Sequence, residues 1–196
     1  MSEAPGKAAL GSWTQAPWHP PSSDGAVAAG DVQLGVGMFL ALEAEAFDDQ
    51  RYGDWAGMVD ESFTYRVPVP VVRDNLTGPS YDPGSLLIDE TKESMVEIWF
   101  ARLGERLYDL AWGEHPPPRF RHYVSNVRVR LTEQPETFLA RSNVLLTMGR
   151  QATAPAQLGA ERYDLVRRTP EGWILASRYC LLDAVVLNVP HVRVLL

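Results

Sequence analysis

The sequence predicts an α+β fold: a long, curved, mostly antiparallel sheet with N-terminal helices packed on one face. Two observations point to it. Apolar residues recur at helical spacing in two stretches of the N-terminal half, and from residue 121 onward the pattern changes to strand-like runs separated by turn-rich connectors. Helices first and sheet last, with the helices needed to bury a sheet face, describe a roll or cone. A chain of 196 residues suits one domain, and at that size folding hides about 70% of the unfolded surface.

The elements follow in chain order. Residues 1–30 are rich in Ala, Gly, Pro and Ser, and Pro17, Pro20 and Pro21 forbid regular helix around "APWHPPSSDG". This is an arm, either flexible or wrapped on a partner, and Trp13 and Trp18 give it apolar surface to bury. The folded domain is expected over 31–196. From Asp31 to Gln50, Leu34, Met38, Leu42 and Ala46 recur every four positions and are joined by Val36, Phe39 and Phe47. That spacing predicts a first helix with this wide face buried and Asp31 as its N-cap.

"YGDWAGMV" reads as a turn and a short helical piece. "SFTYRVPVPVV" reads as an extended segment that Pro68 and Pro70 confine to a sheet edge or a bulge. The composition of "RDNLTGPSYDPGS" predicts a loop. A second long helix is expected from about Asp89 to Leu110, with Asp89 as N-cap, Asp89 and Glu90 complementing its dipole, and Met95, Trp99, Leu103, Leu107 and Leu110 buried. Then "RHYVSNVRVRL", "TFLARSNVLLTM", "AERYDLVRR" and "GWILASRYCLLDAVVL" form an antiparallel meander.

Composition closes off several functions. The formal net charge is −7, so a nucleic-acid backbone would be repelled, and the arginines of the first meander strand lack any stacking or helix-turn-helix context. One cysteine, Cys180, excludes an intramolecular disulfide and any Cys-based cluster built by this chain alone. No signal-like run or apolar stretch of about 18 residues is present, so no membrane is expected and the expected home is the cytoplasm.

The candidate chemistry centres on "WGEHPPPRFRHYVSNVRVRL". His115 and His122 are split by three prolines and cannot share a helix face, so with Glu114 they make a poor metal set. His122 with an Asp on a neighbouring strand, Asp164 or Asp183, would be a workable acid/base couple for a stand-alone dehydratase or isomerase. Strict alternation puts Tyr123, Ser125, Val127, Val129 and Leu131 on one face. His122, Val124, Asn126, Arg128 and Arg130 then share the other, which reads as a polar surface. Charged and polar residues recur on the later strands, Arg141 and Asn143, then Arg162 and Asp164, then Arg178 and Asp183, and opposite charges on adjacent strands can pair across the ladder. Cys180 lies in an apolar run where a buried thiol is the default, and no G-x-S-x-G elbow or Gly-rich phosphate loop occurs.

Taken in order, "DETKESM", "WGEHPPPRFRHYVSNVRV", "RSNVLL", "GAERYDLVRR" and "GWILASRYCLLDAVVL" resemble the small (β) subunit of aromatic-ring-hydroxylating Rieske non-heme iron dioxygenases, of the biphenyl, toluene and naphthalene group. The resemblance covers about residues 31–196. It implies a nuclear-transport-factor-2-like (NTF2-like) cone and a non-catalytic structural role. It also implies a partner, the catalytic α subunit, in an α3β3 hexamer with other β subunits. The Rieske [2Fe-2S] cluster and mononuclear Fe(II) would belong to the α subunit, with no cofactor in this chain. The assembled enzyme would convert arenes to cis-dihydrodiols with O2 and with electrons from NAD(P)H, delivered by a reductase and ferredoxin. Candidate partner-interface residues are Trp112, His115, Arg119, His122, Asn126, Arg162, Asp164 and Arg178. The other readings are the His122 enzyme and a ligand-binding cone.

Overall fold

Helix α1 spans Gly30–Asp48 and α2 spans Tyr52–Met58, followed by strands β1, Val59–Pro70, and β2, Tyr81–Thr91. A broken helical segment comes next: α3, Lys92–Ser94, a π-helical stretch Met95–Phe100, α4, Ala101–Leu103, and a 3-10 turn Tyr108–Leu110. Strands β3, Arg119–Leu131, β4, Thr137–Gly149, β5, Ala156–Thr169, and β6, Gly172–Leu182, complete the fold. The computed structural model describes residues 17–73, 78–103, 108–110, 116–150, 154–187 and 196. The predicted positions Trp13, Leu107, Trp112, Glu114 and His115 lie outside them.

The described strands form one sheet in the order β2-β1-β6-β5-β4-β3. The expected meander is β3 to β6, antiparallel throughout, and β1 joins it by a parallel pairing with β6. Pro68 does fall at a bulge, because the β1–β2 register shifts on both sides of it. Pro68 and Pro70 also lie beyond Arg66, the last β1 residue paired with β6, so neither interrupts that ladder.

Three expectations need correction. The stretch expected to be all loop already contains the start of β2, because Tyr81 and Asp82 pair with Pro70 and Val69. The second helix starts at Lys92, not Asp89. Thr91 is its cap, accepting from the Ser94 N–H at 3.2 Å while its own N–H donates to the Ser94 hydroxyl at 2.9 Å. Asp89 stays in β2, opposite Arg66, with Oδ1 2.9 Å from the Arg66 Nε. Leu110 is exposed.

The third correction concerns α1. Its N-cap is Ala29 with no side-chain cap, and Asp31 lies in the first turn. Leu34, Met38 and Leu42 are 66%, 58% and 54% exposed, whereas Val32, Val36, Phe39, Leu40, Ala44 and Phe47 are buried with Ala46. This helix is apolar on most of its circumference, so a four-residue repeat does not reveal which side meets the sheet. Close approach decides it. Gly35 sits against Trp173, where a Cβ would lie 2.9 Å from the indole ring.

The core between helices and sheet centres on Trp55, fully buried with ring centroids 5.5 Å from Phe47, 5.5 Å from Phe63 and 5.0 Å from Phe100. Each such side chain contributes roughly 1.5–3 kcal/mol of burial. The far edge of the sheet, β3, is blunted against strand addition. Ala28 N–H donates to the Val129 carbonyl and Leu131 N–H to the Ala26 carbonyl, so the arm caps one end of the edge. Asp48 accepts the His122 N–H nearer the other end.

Candidate functional site

Beneath α1, four charged side chains from three elements meet in the interior. Arg178 on β6 donates through Nη1 and Nη2 to the two Glu43 oxygens, each at 2.8 Å, and through Nε to Asp164 Oδ1 at 2.7 Å. The Trp55 indole N–H donates to Glu43 Oε1 at 3.1 Å. Arg162 lies 3.8 Å from Glu43 and 3.3 Å from Asp164, and its Nε donates to the Ser142 hydroxyl. These four side chains are 0–1% exposed.

Two arginines and two carboxylates make the cluster formally neutral, which is the condition for keeping charge out of water. Burial by itself would raise the Glu43 carboxyl, but the Arg178 and Arg162 charges and the hydrogen bonds from Arg178 and Trp55 outweigh it and hold it below its ordinary value. Arg178 is raised well above the ordinary value: burial opposes this, while Asp164 and Glu43 drive it. Cys180, buried beside the cluster, has its thiol pushed up to about 12, first by burial, and is protonated and inert at neutral pH.

This placement corrects the expectation for Arg162, Asp164 and Arg178 as partner-interface residues. They present no surface to another chain, because they are 0–1% exposed and both arginines are paired with Glu43 and with Asp164. The Asp164–Arg178 pair across β5 and β6 does form, in direct register. Glu43 went unrecognised in the sequence. The available signal was its position, four residues after Phe39 and four before Phe47, which puts a carboxylate on the buried stripe of α1.

His122 is also placed differently. A register shift between Ser125 and Arg128, with Asn126 at φ 53°, bulges β3 and resets its alternation. Phe120, His122 and Val124 before the bulge, and Val127 and Val129 after it, form the inward set. His122 is therefore on the core face and not on a polar surface with Arg128 and Arg130. Its side chain is 2% exposed, its ring centroid is 5.9 Å from that of Phe47, and its Nδ1 lies 2.7 Å from Asp48 Oδ1. The carboxylate partner is Asp48 at the end of α1, not Asp164 or Asp183.

Asp48 thus binds both the backbone N–H and the ring of His122 and ties α1 to β3. Arg121 adds a longer contact at 3.4 Å. Of the predicted interface set, Arg119 and Asn126 are exposed on β3. Tyr123 and Leu145, directly opposite each other on β3 and β4, are exposed too, and on α1 so are Leu34, Met38 and Leu42.

A Rieske cluster does not fit this chain, since it needs two Cys and two His ligands and the single Cys180 is buried and protonated. Among the described residues no group of three His, Cys, Asp or Glu side chains is placed to hold a metal ion. No helix among them is long and apolar enough to cross a membrane.

A six-stranded curved sheet with helices on one side defines an α+β cone of the NTF2-like class. Comparison with known proteins takes the assignment one step further. Residues 42–189 match the model of the ring hydroxylating beta subunit family, and the chain belongs to that family.

Solved structures share the fold. A naphthalene 1,2-dioxygenase with indole bound in its active site superposes with a TM-score of 0.74 at 22% identity, covering 86% of this chain and 88% of that one. The beta subunit of benzoate 1,2-dioxygenase from Burkholderia mallei gives 0.59 at 16%, covering 81% and 92%. ActVI-ORFA from Streptomyces coelicolor, at 0.55 and 15% over 78% and 98%, carries the same fold under a different name.

Proposed function

We propose that this chain is the non-catalytic, structural β subunit of a multicomponent aromatic-ring-hydroxylating dioxygenase. In this reading it holds catalytic α subunits in an α3β3 ring. The complex converts arenes to cis-dihydrodiols with O2 and NAD(P)H-derived electrons, reaching them through a reductase and ferredoxin. The Rieske cluster and mononuclear iron sit in the α subunit. The observation that carries the reading is the family match over residues 42–189.

The chain's own residues suit a scaffold. Its interior is occupied by the Glu43, Arg162, Asp164 and Arg178 cluster and by aromatic packing, so the sheet is braced against α1 and keeps a fixed shape. Asp48 and His122 lock the last turn of α1 to the β3 edge. Outside, Arg119 and Asn126 on β3 are exposed, as is the apolar stripe of α1, and arginine and methionine are residue types that protein interfaces favour.

The test is co-expression with a Rieske-type α subunit. An iron-containing, arene-oxidising complex of larger mass is expected by light scattering only when both chains are present. Arene turnover by this chain alone would overturn the reading. Within the complex, Arg119→Glu and Leu42→Glu are expected to lower the assembled fraction while leaving the fold of the isolated chain intact.

A further inference from the structure

On the side of the sheet away from the helices, the arm does not lie flat. Its described part is pinned at both ends. At one end the Trp18 N–H donates to the Pro83 carbonyl at 2.7 Å and the Tyr179 hydroxyl donates to the Trp18 carbonyl at 3.1 Å. At the other, Ala26 and Ala28 pair with β3, and Arg130 Nη1 donates to the Gly25 carbonyl at 3.2 Å. Gly25 permits this descent, since a Cβ there would lie 2.1 Å from the Leu131 carbonyl oxygen. Pro20 and Pro21 limit the backbone freedom of the span between the anchors.

Under this strap is a cavity of about 630 Å³, a size typical of small-molecule sites, roughly 300–1,000 Å³. Its floor is a transverse row of the sheet. Thr64 on β1 pairs with Ser177 on β6, Ser177 with Leu165 on β5, and Leu165 with Leu139 on β4. Half the floor is therefore hydroxyl and half is leucine. Ser177 is 8% exposed and its hydroxyl has no hydrogen-bond partner among the described residues. Leaving such a group unpaired costs roughly 1–3 kcal/mol, and a bound hydrogen-bonding group removes that cost.

Charge narrows the ligand class. Asp24 and Glu133 line the cavity, and its one cation among the described residues, Arg66, is already held by Asp89 at 2.9 Å. An anion would face uncompensated carboxylates. We propose that the strap and the outer sheet face form a binding site for a neutral, ring-sized small molecule, which lays an apolar face on Leu139 and Leu165 and hydrogen-bonds the hydroxyls of Ser177 and Thr64. The site lies on the opposite face of the sheet from the Glu43, Asp164 and Arg178 cluster and is independent of the subunit reading above.

The experiment is a fluorescence titration of the full chain with N-phenyl-1-naphthylamine and, in parallel, with its sulfonated analogue 1-anilinonaphthalene-8-sulfonate. The neutral dye is expected to saturate at one site per chain and to bind about tenfold or more tighter than the sulfonate, a difference of about 1.4 kcal/mol. Leu165→Trp, which fills the floor, should abolish the signal in protein whose circular dichroism is unchanged. Ser177→Ala, which removes only the hydroxyl, should weaken binding several-fold and carries the test should Leu165→Trp fail to fold. Absence of saturable binding, equal affinity for both dyes, or binding unaffected by Ser177→Ala and by a folded Leu165→Trp would overturn the proposal.

Discussion

Two arginine and carboxylate clusters lie back to back across β5, and their contrast explains much of this molecule. On the helix side, Arg162, Asp164 and Arg178 meet Glu43 with 0–1% exposure. On the outer side, Arg128 and Arg141 share Glu161, at 50%, 35% and 23% side-chain exposure. Glu161 and Arg162 are neighbours in sequence, so a single step along β5 separates a half-wet ion pair from a dry one. The residue types are the same, but the dielectric around them is not. A dry, paired charge is costly to unpair, whereas a wet pair is nearly neutral to lose.

The largest expected effect tests the dry side. Arg178→Ala leaves Glu43 and Asp164 buried with one fewer cation, and urea unfolding should show a loss of about 3–5 kcal/mol. A loss under about 1 kcal/mol would mean that water reaches the cluster and that the contrast fails. Arg178→Lys should recover only part of the loss, because one ammonium cannot replace the fork that spans two carboxylates.

Acid sharpens the comparison next. The Glu43 carboxyl is held below its ordinary value of 4.5, so the unfolded state takes up the proton first. The stabilisation it brings is fully present above the unfolded value and is lost as pH falls through the lowered folded value. Stability measured from pH 7 downward should therefore drop below about pH 4.5, and less steeply in Glu43→Gln, whose stability at pH 7 is already reduced.

A smaller effect is expected at the edge of the sheet. Asp48→Asn weakens the contacts to the His122 ring and backbone and should cost about 1–3 kcal/mol. Hydrogen exchange of the His122 amide should accelerate in this variant, and an unchanged rate would argue against the clamp. Smallest of all is the wet side. Arg141→Gln should change stability by less than about 1 kcal/mol, with the difference shrinking further in high salt.

The four C-terminal strands were legible as apolar, strand-like runs, since each is bounded by a connector that carries turn chemistry. The first helix was legible as a helix but not in its orientation. Leu34, Met38 and Leu42 satisfy helical spacing as well as Val36, Leu40 and Phe47 do, and only contact with Trp173 and the sheet distinguishes the two sides. The start of β2 was hidden because "YDPGS" has loop composition, and partnership with β1 rather than propensity makes it a strand. At the candidate sites, pairing of opposite charges on adjacent strands was legible, but the β5–β6 register chose Asp164 and Arg178, and Glu43 and Asp48 arrive from α1, far away in sequence.

By itself the sequence determined the fold class, the subunit family and the exclusion of a Rieske centre from this chain, because periodicity, ordered segments and the number of cysteines are local or countable. The tertiary structure alone decided which polar residues are dry. One bulge at Asn126 turns His122 inward, and one helix face carries Glu43 to Arg178. The fate of a charge depends on what packs against it, and in a sheet built from distant segments that neighbour is set by long-range pairing, which no stretch of the chain encodes alone.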